Sequence, residues 1–233
     1  MKEYLNTNKK VWEDIYMKGN QMNKYPYDDI VTFLYRNSPK NIDRKNIKIL
    51  EVGCGAGNNL WFAAREGFNV TGIDISESAI NYVRKRFEKD NLQGNFIVGN
   101  FIELPFKDEE FDLIIDRAGL TYLSFDDCKN AMNEINRILK VNGMMYFNPF
   151  SEKHSSCASG IYMENGMITN IKDGISGCGN TCFYGRRDIY NLLSDSWKIE
   201  SLKHCECVEE LNSYHFTEAQ WRVVLKKVRN ENE

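Results

Sequence analysis

A glycine-rich turn at residues 51–57, which read EVGCGAG, most constrains how this chain folds. It follows the apolar run 47–52, typical of a buried strand, and precedes residues 58–67, whose apolar side chains recur at helical spacing. Glycines let the chain turn sharply and let a ligand approach the backbone without a Cβ in the way. The amides at the start of the next helix are free to bind polar ligand groups. The turn therefore predicts a ligand site at the end of a strand.

Strand-like and helix-like segments alternate along the chain. The predicted strands are 47–52, 69–74, 95–98, 111–116 and 144–150, and the predicted helices are 58–67, 76–89 and 126–140. This alternation is typical of a parallel sheet. Near the C terminus, a predicted helix at 187–194 and strands at 197–202 and 213–228 indicate an antiparallel hairpin at one sheet edge. We therefore predict an α/β fold: a doubly wound, mostly parallel seven-stranded sheet with helices on both faces and a C-terminal antiparallel strand.

Two segments lie outside this alternation. Residues 1–46 contain an aromatic-rich stretch and an amphipathic run, and we interpret them as an N-terminal helical cap on a ligand-binding domain at 47–233. Residues 151–183 are rich in Ser, Gly, Cys and Asn, and residues 164–167 (ENGM) predict a hairpin with a type I′ turn. Long irregular segments inside compact domains are commonly functional, so we interpret 151–183 as a lid-like insertion.

The spacing of the glycines separates two kinds of nucleotide site. A dinucleotide fingerprint, G-x-G-x-x-G counted from Gly53, needs glycine at position 58, where this chain has Asn58. The pattern here is G-x-G-x-G, with an acidic residue two positions before the first glycine. Asp74 ends the second predicted strand, where a carboxylate accepts hydrogen bonds from ribose hydroxyls. The order of strand, glycine turn, helix, strand and terminal aspartate is much more specific than the glycines alone.

Residues 49–57 (ILEVGCGAG) with residues 72–76 (GIDIS) resemble the class I S-adenosylmethionine-dependent methyltransferases, small-molecule type. The resemblance continues through motifs after the third strand, around the fourth strand and at the junction of helix and fifth strand, which are 98–101 (VGNF), 104–106 (LPF), 111–116 (FDLIID) and 138–145 (ILKVNGMM). It covers roughly residues 45–150. It implies S-adenosylmethionine as cofactor and S-adenosylhomocysteine as product.

The resemblance also implies roles for individual residues. Glycines 53, 55 and 57 would line the methionine and ribose, with Glu51 orienting their loop and Asp74 holding the ribose. Ile75 would pack on adenine, and Asn100, where the family often has Asp, would reach the adenine edge with Phe101. The full set of expected cofactor-binding residues is Trp12, Glu51, Gly53, Cys54, Gly55, Gly57, Asp74, Ile75, Asn100, Phe101, Asp116 and Arg117.

Methyl transfer needs correct positioning of the acceptor more than a fixed set of catalytic groups. His154 is the first candidate for a general base, because it follows the carboxyl end of the fifth predicted strand, and Tyr122 is a candidate for the acceptor pocket. His204 and His215 are weaker candidates for the base. Trp12 and its aromatic neighbours are either core residues or cation–π partners of the sulfonium.

Composition bounds the partners and the compartment. The net charge is −3 without a basic stripe, which argues against nucleic acid, and no stretch is apolar enough to span a membrane. Seven scattered cysteines and a polar N-terminal sequence favour reduced thiols in the cytoplasm. The spacing of Cys178, Cys182, Cys205 and Cys207 does not form the tight pairs of a zinc site, so we predict no metal. We expect a monomer or homodimer.

Three hypotheses for the function follow. The first is a methyltransferase that acts on an O or N atom of a small acceptor, such as a sugar or nucleotide-linked metabolite. The second is an NAD(P)-dependent oxidoreductase on a similar sheet, against which Asn58 argues. The third is a catalytically silent cofactor-binding module.

Overall fold

The computed structural model describes residues 2–211 and 216–229. In these ranges the α-helices are α1 Glu3–Met17, α2 Asp28–Asn37, α3 Asn58–Arg65, α4 Glu77–Lys89, α5 Phe125–Ile138, α6 Ser155–Ala158 and α7 Arg186–Asn191. The strands are β1 Lys48–Val52, β2 Asn69–Asp74, β3 Asn95–Val98, β4 Phe111–Asp116, β5 Leu139–Phe147, β6 Ile161–Tyr162, β7 Met167–Thr169, β8 Thr181–Cys182, β9 Trp197–Val208 and β10 Thr217–Lys227.

Seven strands form one sheet in the order β3-β2-β1-β4-β5-β10-β9. Strands β1 to β5 pair in parallel, whereas β10 is antiparallel to both β5 and β9. This arrangement confirms the predicted mostly parallel sheet with a C-terminal antiparallel strand. Because the carboxyl ends of β1, β2 and β4 meet at one edge, the glycine turn, Asp74 and Arg117 lie near one another.

Each face of the sheet buries its own apolar core. On one face, Ile30 of α2, Leu60 of α3 and Val83 of α4 are fully buried against the sheet. On the other face, Met132 and Ile135 of α5 are equally buried. Burial of a large apolar side chain stabilises a fold by about 1.5–3 kcal/mol, so the two cores fix the strands whose ends carry the glycine turn.

Several element bounds differ from the prediction. Helix α5 ends at Ile138 and β5 begins at the next residue, whereas a turn at 142–143 was expected to separate them. Asn142 has a φ of 64°, and the pairing of β4 with β5 shifts register here, so this pair forms an irregularity inside the strand. Strand β9 is longer than predicted because β10 pairs with it along its whole length. Strand β10 begins at Thr217, and the predicted residues 213–215 lie outside the described residues.

The two segments outside the alternation have their own secondary structure. Residues 1–46 contain α1 and α2, and residues 151–183 contain α6 and the small antiparallel sheet β6-β7-β8. The predicted hairpin at 164–167 joins β6 to β7. Its turn is not type I′: the Gly166 amide donates to the Met163 carbonyl, so the central residues are Glu164 and Asn165, and neither has a positive φ. No helix in the described ranges is long and apolar enough to cross a membrane.

Candidate active site

A cavity of about 610 Å³ lies at the carboxyl ends of the parallel strands. This volume suits a small-molecule ligand. The predicted site residues that line it are Trp12, Glu51, Gly53, Cys54, Gly55, Asp74, Ile75, Asn100, Phe101, Arg117, Tyr122 and His154. The structure thus brings twelve of the predicted residues to one cavity.

The glycine turn has the backbone conformation that its sequence predicts. Gly53 has a φ of 68° and Gly55 a φ of 49°, in the left-handed region where a Cβ is costly. A Cβ on Gly53 would lie 3.1 Å from the Cα of Gly119, and one on Gly55 would collide with the hydroxyl of Tyr16. Both glycines therefore allow close approach of other groups to the backbone at the floor of the cavity.

Gly57 and Asp116 lie outside the residues that line the cavity. Gly57 has a φ of 69° and precedes α3, and a Cβ there would collide with Val83 of α4, so it permits two helices to pack closely. Asp116 is fully buried, and its Oδ1 accepts a hydrogen bond from the Leu120 amide at 2.9 Å. Asp116 therefore fixes the turn that positions Arg117.

Asp74 is held in place by the backbone on both sides. Its Oδ2 accepts a hydrogen bond from the Gly55 amide at 2.9 Å, and its Oδ1 accepts one from the Ser76 amide at 2.9 Å. Burial raises the pKa of this carboxyl to about 6, although the amide donors act in the opposite direction. Each carboxylate oxygen keeps a second lone pair, so Asp74 can accept further hydrogen bonds from a ligand.

Glu51 has an unused acceptor in the cavity wall. Its Oε1 accepts a hydrogen bond from the Asn59 amide group at 2.7 Å, whereas Oε2 is buried without a hydrogen-bond partner. Burial raises the pKa of Glu51 to about 8, because the charged form lacks compensating donors. A cation or a hydroxyl donor beside Oε2 would relieve this cost.

Asn100 uses its carbonyl oxygen inside the protein. Its Oδ1 accepts hydrogen bonds from the Ile102 amide at 2.9 Å and the Glu103 amide at 3.1 Å. Both lone pairs of this oxygen are therefore engaged within the protein, and none remains for a ligand donor. With the side-chain amide oriented by this network, Asn100 offers its NH₂ group as a donor instead.

Aromatic side chains of α1 form a second wall. Trp12 contacts the ring of Tyr122 edge-to-face, with 4.9 Å between centroids, and lies 5.8 Å from the ring of Tyr16. The Nε1 of Trp12 is buried without a hydrogen-bond partner. Burial raises the pKa of Tyr122 far above its usual value, so its hydroxyl stays protonated at neutral pH.

His154 lies within an aromatic cluster. Its ring is 5.2 Å from that of Phe150 and 5.8 Å from that of Phe183, and burial lowers its pKa. Its Nδ1 accepts a hydrogen bond from the Ser156 amide at 3.2 Å, which places the proton of the neutral ring on Nε2. In this tautomer the ring can donate a hydrogen bond from Nε2 but cannot take a proton there.

The contribution of the β9–β10 hairpin to the site was not predicted. This hairpin adds a wall to the cavity formed by Cys205, Glu206, Cys207, Glu218, Ala219, Gln220 and Arg222. Only the pairing of β10 with β5 brings these residues to the site, and no local motif marks them. Asn8, Asn23 and Tyr27 of the N-terminal segment were also missed as lining residues.

His204, another candidate base, does not line the cavity. His204 contacts Ser151 Oγ through Nε2 at 2.6 Å and Glu206 through Nδ1 at 3.1 Å, and its ring lies 4.4 Å from that of Trp221. His215 is outside the described residues. All seven cysteines are free thiols, and the described ranges contain no group of three His, Cys, Asp or Glu side chains arranged to hold a metal ion.

The arrangement fits the cofactor that the sequence resemblance implies. Asp74 has lone pairs for ribose hydroxyls, the glycine turn gives access to the backbone, and Glu51 Oε2 has no partner within the protein. Trp12 and Tyr16 line the cavity, and a cation–π contact of such an aromatic face with a sulfonium would be worth about 0.5–2 kcal/mol.

Comparison with known proteins gives the same assignment. Residues 49–143 match the methyltransferase domain family. A fatty-acid O-methyltransferase of Mycolicibacterium smegmatis is 28% identical over 133 residues, which are 56% of this chain and 45% of that protein. The chain spans about a third to a half of the length of the first curated relatives it matches.

Two solved structures share the fold across most of the chain. One is a SAM-dependent methyltransferase from Methanosarcina mazei, with a TM-score of 0.68, 22% identity and coverage of 88% of this chain and 100% of that one. The other is a 1,6-didemethyltoxoflavin N1-methyltransferase from Burkholderia thailandensis with bound S-adenosylhomocysteine, with a TM-score of 0.72, 13% identity and coverage of 97% and 90%. Residues 49–143 thus match the methyltransferase domain family, and the chain around them has the fold of these two solved structures.

Proposed function

We propose that this protein transfers a methyl group from S-adenosylmethionine to an O or N atom of a small-molecule acceptor. The observation that carries this proposal is the single cavity that extends from Asp74 and the glycine turn to His154 and the β9–β10 hairpin. It has room for a nucleoside at one end and an acceptor at the other. Relatives with small organic acceptors in their names, including fatty-acid and demethylmenaquinone methyltransferases, support this choice.

The site geometry supports a set of cofactor-binding roles. Asp74 accepts hydrogen bonds from the ribose, Ile75 and Phe101 pack against adenine, and the NH₂ of Asn100 donates to the adenine edge. Glu51 Oε2 receives the cationic amine end. Gly57 and Asp116 act indirectly. Gly57 precedes α3 and lets that helix pack closely, and Asp116 fixes the turn that positions Arg117.

The chemistry at the acceptor end depends on positioning. The bound cofactor supplies an electrophilic methyl group on its sulfonium. His154 donates a hydrogen bond from Nε2 to the acceptor, and the buried Tyr122 hydroxyl, which stays protonated, gives shape and polarity to the pocket. The chain's own contribution is to align the acceptor atom and exclude water.

We propose that residues 1–46 act as a cap and residues 151–183 as a lid. Glu13 of α1 accepts hydrogen bonds from Ser76 Oγ at 2.7 Å and the Ser78 amide at 3.2 Å, which ties α1 to the start of α4. Asn8 joins α1 to the other segment through Asn180. Both connections support a closed cavity during transfer.

A labelling experiment tests the function. The protein is incubated with S-adenosylmethionine carrying a labelled methyl group and a cell extract separated into fractions below and above about 1 kDa, a boundary set by the size of the cavity. We expect label in the small-molecule fraction, lost in Asp74→Ala and retained in Asp195→Ala, an exposed acidic control.

Other outcomes would favour the alternatives. Label in the macromolecular fraction would contradict a small acceptor. Binding of cofactor without any transfer would favour a catalytically silent module, and binding of NAD without S-adenosylhomocysteine would favour an oxidoreductase.

A further inference from the structure

Two arginine side chains in the cavity wall have unused hydrogen-bond donors. Arg117 follows β4 and Arg222 lies in β10, and both line the cavity. The Nε of each is buried without a hydrogen-bond partner, and within the described ranges neither guanidinium donates a hydrogen bond. Arg222 is close to one carboxylate, Asp29, with Nε to Oδ2 at 3.4 Å. Arg117 stacks over the Tyr27 ring, 4.2 Å from its centroid.

The sheet register places the two arginines near each other. Ile115 of β4, Tyr146 of β5 and Val224 of β10 are paired in one cross-strand row. Arg117 is two residues after Ile115 on β4. Arg222 is two residues before Val224 on β10, which runs antiparallel to β5. Both arginines therefore lie two residues from this row, toward the edge formed by the carboxyl ends of the parallel strands. Two strand spacings separate their backbones, which is about 10 Å. Two long side chains can reach the space between them.

The carboxylates near this pair leave both Nε atoms without a hydrogen bond. Asp29 is in ion-pair contact with Arg222, and its Oδ2 also accepts a hydrogen bond from the Tyr146 hydroxyl at 2.6 Å. Glu51 and Asp116 also act on Arg117. Burial raises the pKa of Glu51 to about 8 and that of Asp116 to about 6, so at neutral pH Glu51 is mostly protonated and Asp116 is mostly ionised. The two guanidinium groups therefore keep buried donors for a further anion.

Two acidic side chains of the hairpin lie at a different position in the same cavity. Glu218 is four residues from Arg222 along β10, which corresponds to about 13 Å. Glu206 is opposite Ala219 in the pairing of β9 with β10, so it also lies toward that end. The two arginines and the two hairpin carboxylates therefore line different parts of the cavity.

We propose that Arg117 and Arg222 bind an oxyanion of the methyl acceptor, either a carboxylate or a phosphate. This inference rests on the proposed function. The planar guanidinium matches both oxyanions through paired N–H donors, and such charge-assisted hydrogen bonds are stronger than neutral ones. Binding an oxyanion gives partners to the buried Nε atoms.

The position of Arg222 favours the acceptor over the carboxylate of the cofactor. Asp74 ends β2, and β10 is four strand spacings from β2 in the sheet order, about 19 Å. A cofactor with its ribose at Asp74 and its amine at Glu51 directs its amino-acid end toward β1 and β4. The space between Arg117 and Arg222 lies beyond that end.

Calorimetry on protein saturated with S-adenosylhomocysteine tests the inference. The probes are benzoate, phenyl phosphate and the neutral benzamide, at constant ionic strength. We expect at least one anion to bind and benzamide to bind at least tenfold more weakly. Arg117→Met and Arg222→Met should each weaken anion binding at least tenfold, with a smaller loss in the lysine variants. Arg36→Met, an exposed arginine outside the cavity lining, should leave it unchanged.

The affinity for S-adenosylhomocysteine is the second readout. It should change less than twofold in Arg117→Met and Arg222→Met. A large loss for S-adenosylhomocysteine but not for 5′-methylthioadenosine, which lacks the amino-acid group, would assign the arginines to the cofactor and overturn the inference. So would equal binding of benzoate and benzamide, or no binding of either anion to the wild type. If the wild type does not bind S-adenosylhomocysteine at all, the proposed function itself fails.

Discussion

Asn8 is the side chain whose loss should most specifically open the cap. It is buried in α1, and its Nδ2 donates to the Tyr122 carbonyl at 2.8 Å and the Asn180 carbonyl at 2.9 Å. Its Oδ1 accepts a hydrogen bond from the Asn180 amide at 2.7 Å. One side chain thus connects the N-terminal segment both to the turn after β4 and to the segment 151–183.

Asn8→Ala removes these three hydrogen bonds at once. At about 1 kcal/mol each, the loss is about 3 kcal/mol, which corresponds to a roughly 150-fold shift toward the open cap. Hydrogen exchange of the α1 amides should therefore accelerate by up to about two orders of magnitude, while amides of β1 and β4 keep their protection. S-adenosylhomocysteine should dissociate faster as well.

Asn6→Ala is the matched control, because Asn6 is an exposed asparagine in the same helix. It should change neither exchange nor cofactor dissociation measurably. Unchanged exchange in Asn8→Ala would refute the reasoning that this side chain holds the cap. Equal loss of protection in α1 and the central strands would show instead that Asn8 supports the whole domain.

Three further predictions concern the site and its supports. The affinity for S-adenosylhomocysteine, measured by calorimetry, should fall by up to tenfold per pH unit below about pH 6. The reason is that the Asp74 carboxylate must be ionised to accept hydrogen bonds from the ribose hydroxyls. An affinity that stays constant down to pH 5 would count against that contact. His154→Ala should lower turnover far more than cofactor affinity. His154→Gln should restore part of the turnover, because its side-chain amide supplies a hydrogen-bond donor. Turnover in His154→Gln as low as in His154→Ala would argue against the donor role. Gly57→Ala should lower the free energy of unfolding, measured by urea denaturation, by more than about 1 kcal/mol, because Gly57 has a positive φ and a Cβ there would clash with Val83. Val83→Ala should restore part of that stability. An unchanged urea midpoint in Gly57→Ala would contradict the packing role.

The pH dependence of stability follows from the same groups. Burial lowers the pKa of His154 in the folded state, so the stability it contributes is complete above the usual pKa of histidine and is lost as the pH falls below it. Burial raises the pKa of Glu51 to about 8, so its contribution is complete below the usual pKa of glutamate and is lost as the pH rises through 8. Urea midpoints of Glu51→Gln should therefore depend less on pH between 5 and 8 than those of the wild type.

The parallel half of the fold was predictable because local pattern and tertiary contacts agree there. Strand β1, the glycine turn and Asp74 each follow from residues adjacent in sequence, and the positive φ of Gly53 and Gly55 follows from the turn. The same locality explains why the glycine turn and Asp74 were predicted to lie at one site, and both line the cavity.

The acceptor side was not predictable from local pattern. Arg222 reaches the cavity because β10 inserts between β5 and β9, and alternation within a strand does not reveal that register. Asn8 is a polar residue in an amphipathic helix, and its burial depends on a partner 172 residues away. The predicted turn at 142–143 forms an irregularity inside β5 for a related reason, because β4 pairs with Leu139 before it and with Met144 after it.

The most direct test of the account is calorimetric titration of the purified protein with S-adenosylmethionine and S-adenosylhomocysteine, repeated on Asp74→Ala and on the exposed control Asp195→Ala. The account predicts saturable binding of both ligands to the wild type and to the control, and a loss of at least tenfold in Asp74→Ala. Absence of binding in well-folded wild-type protein, or equal binding in Asp74→Ala, would contradict a cofactor site at the glycine turn.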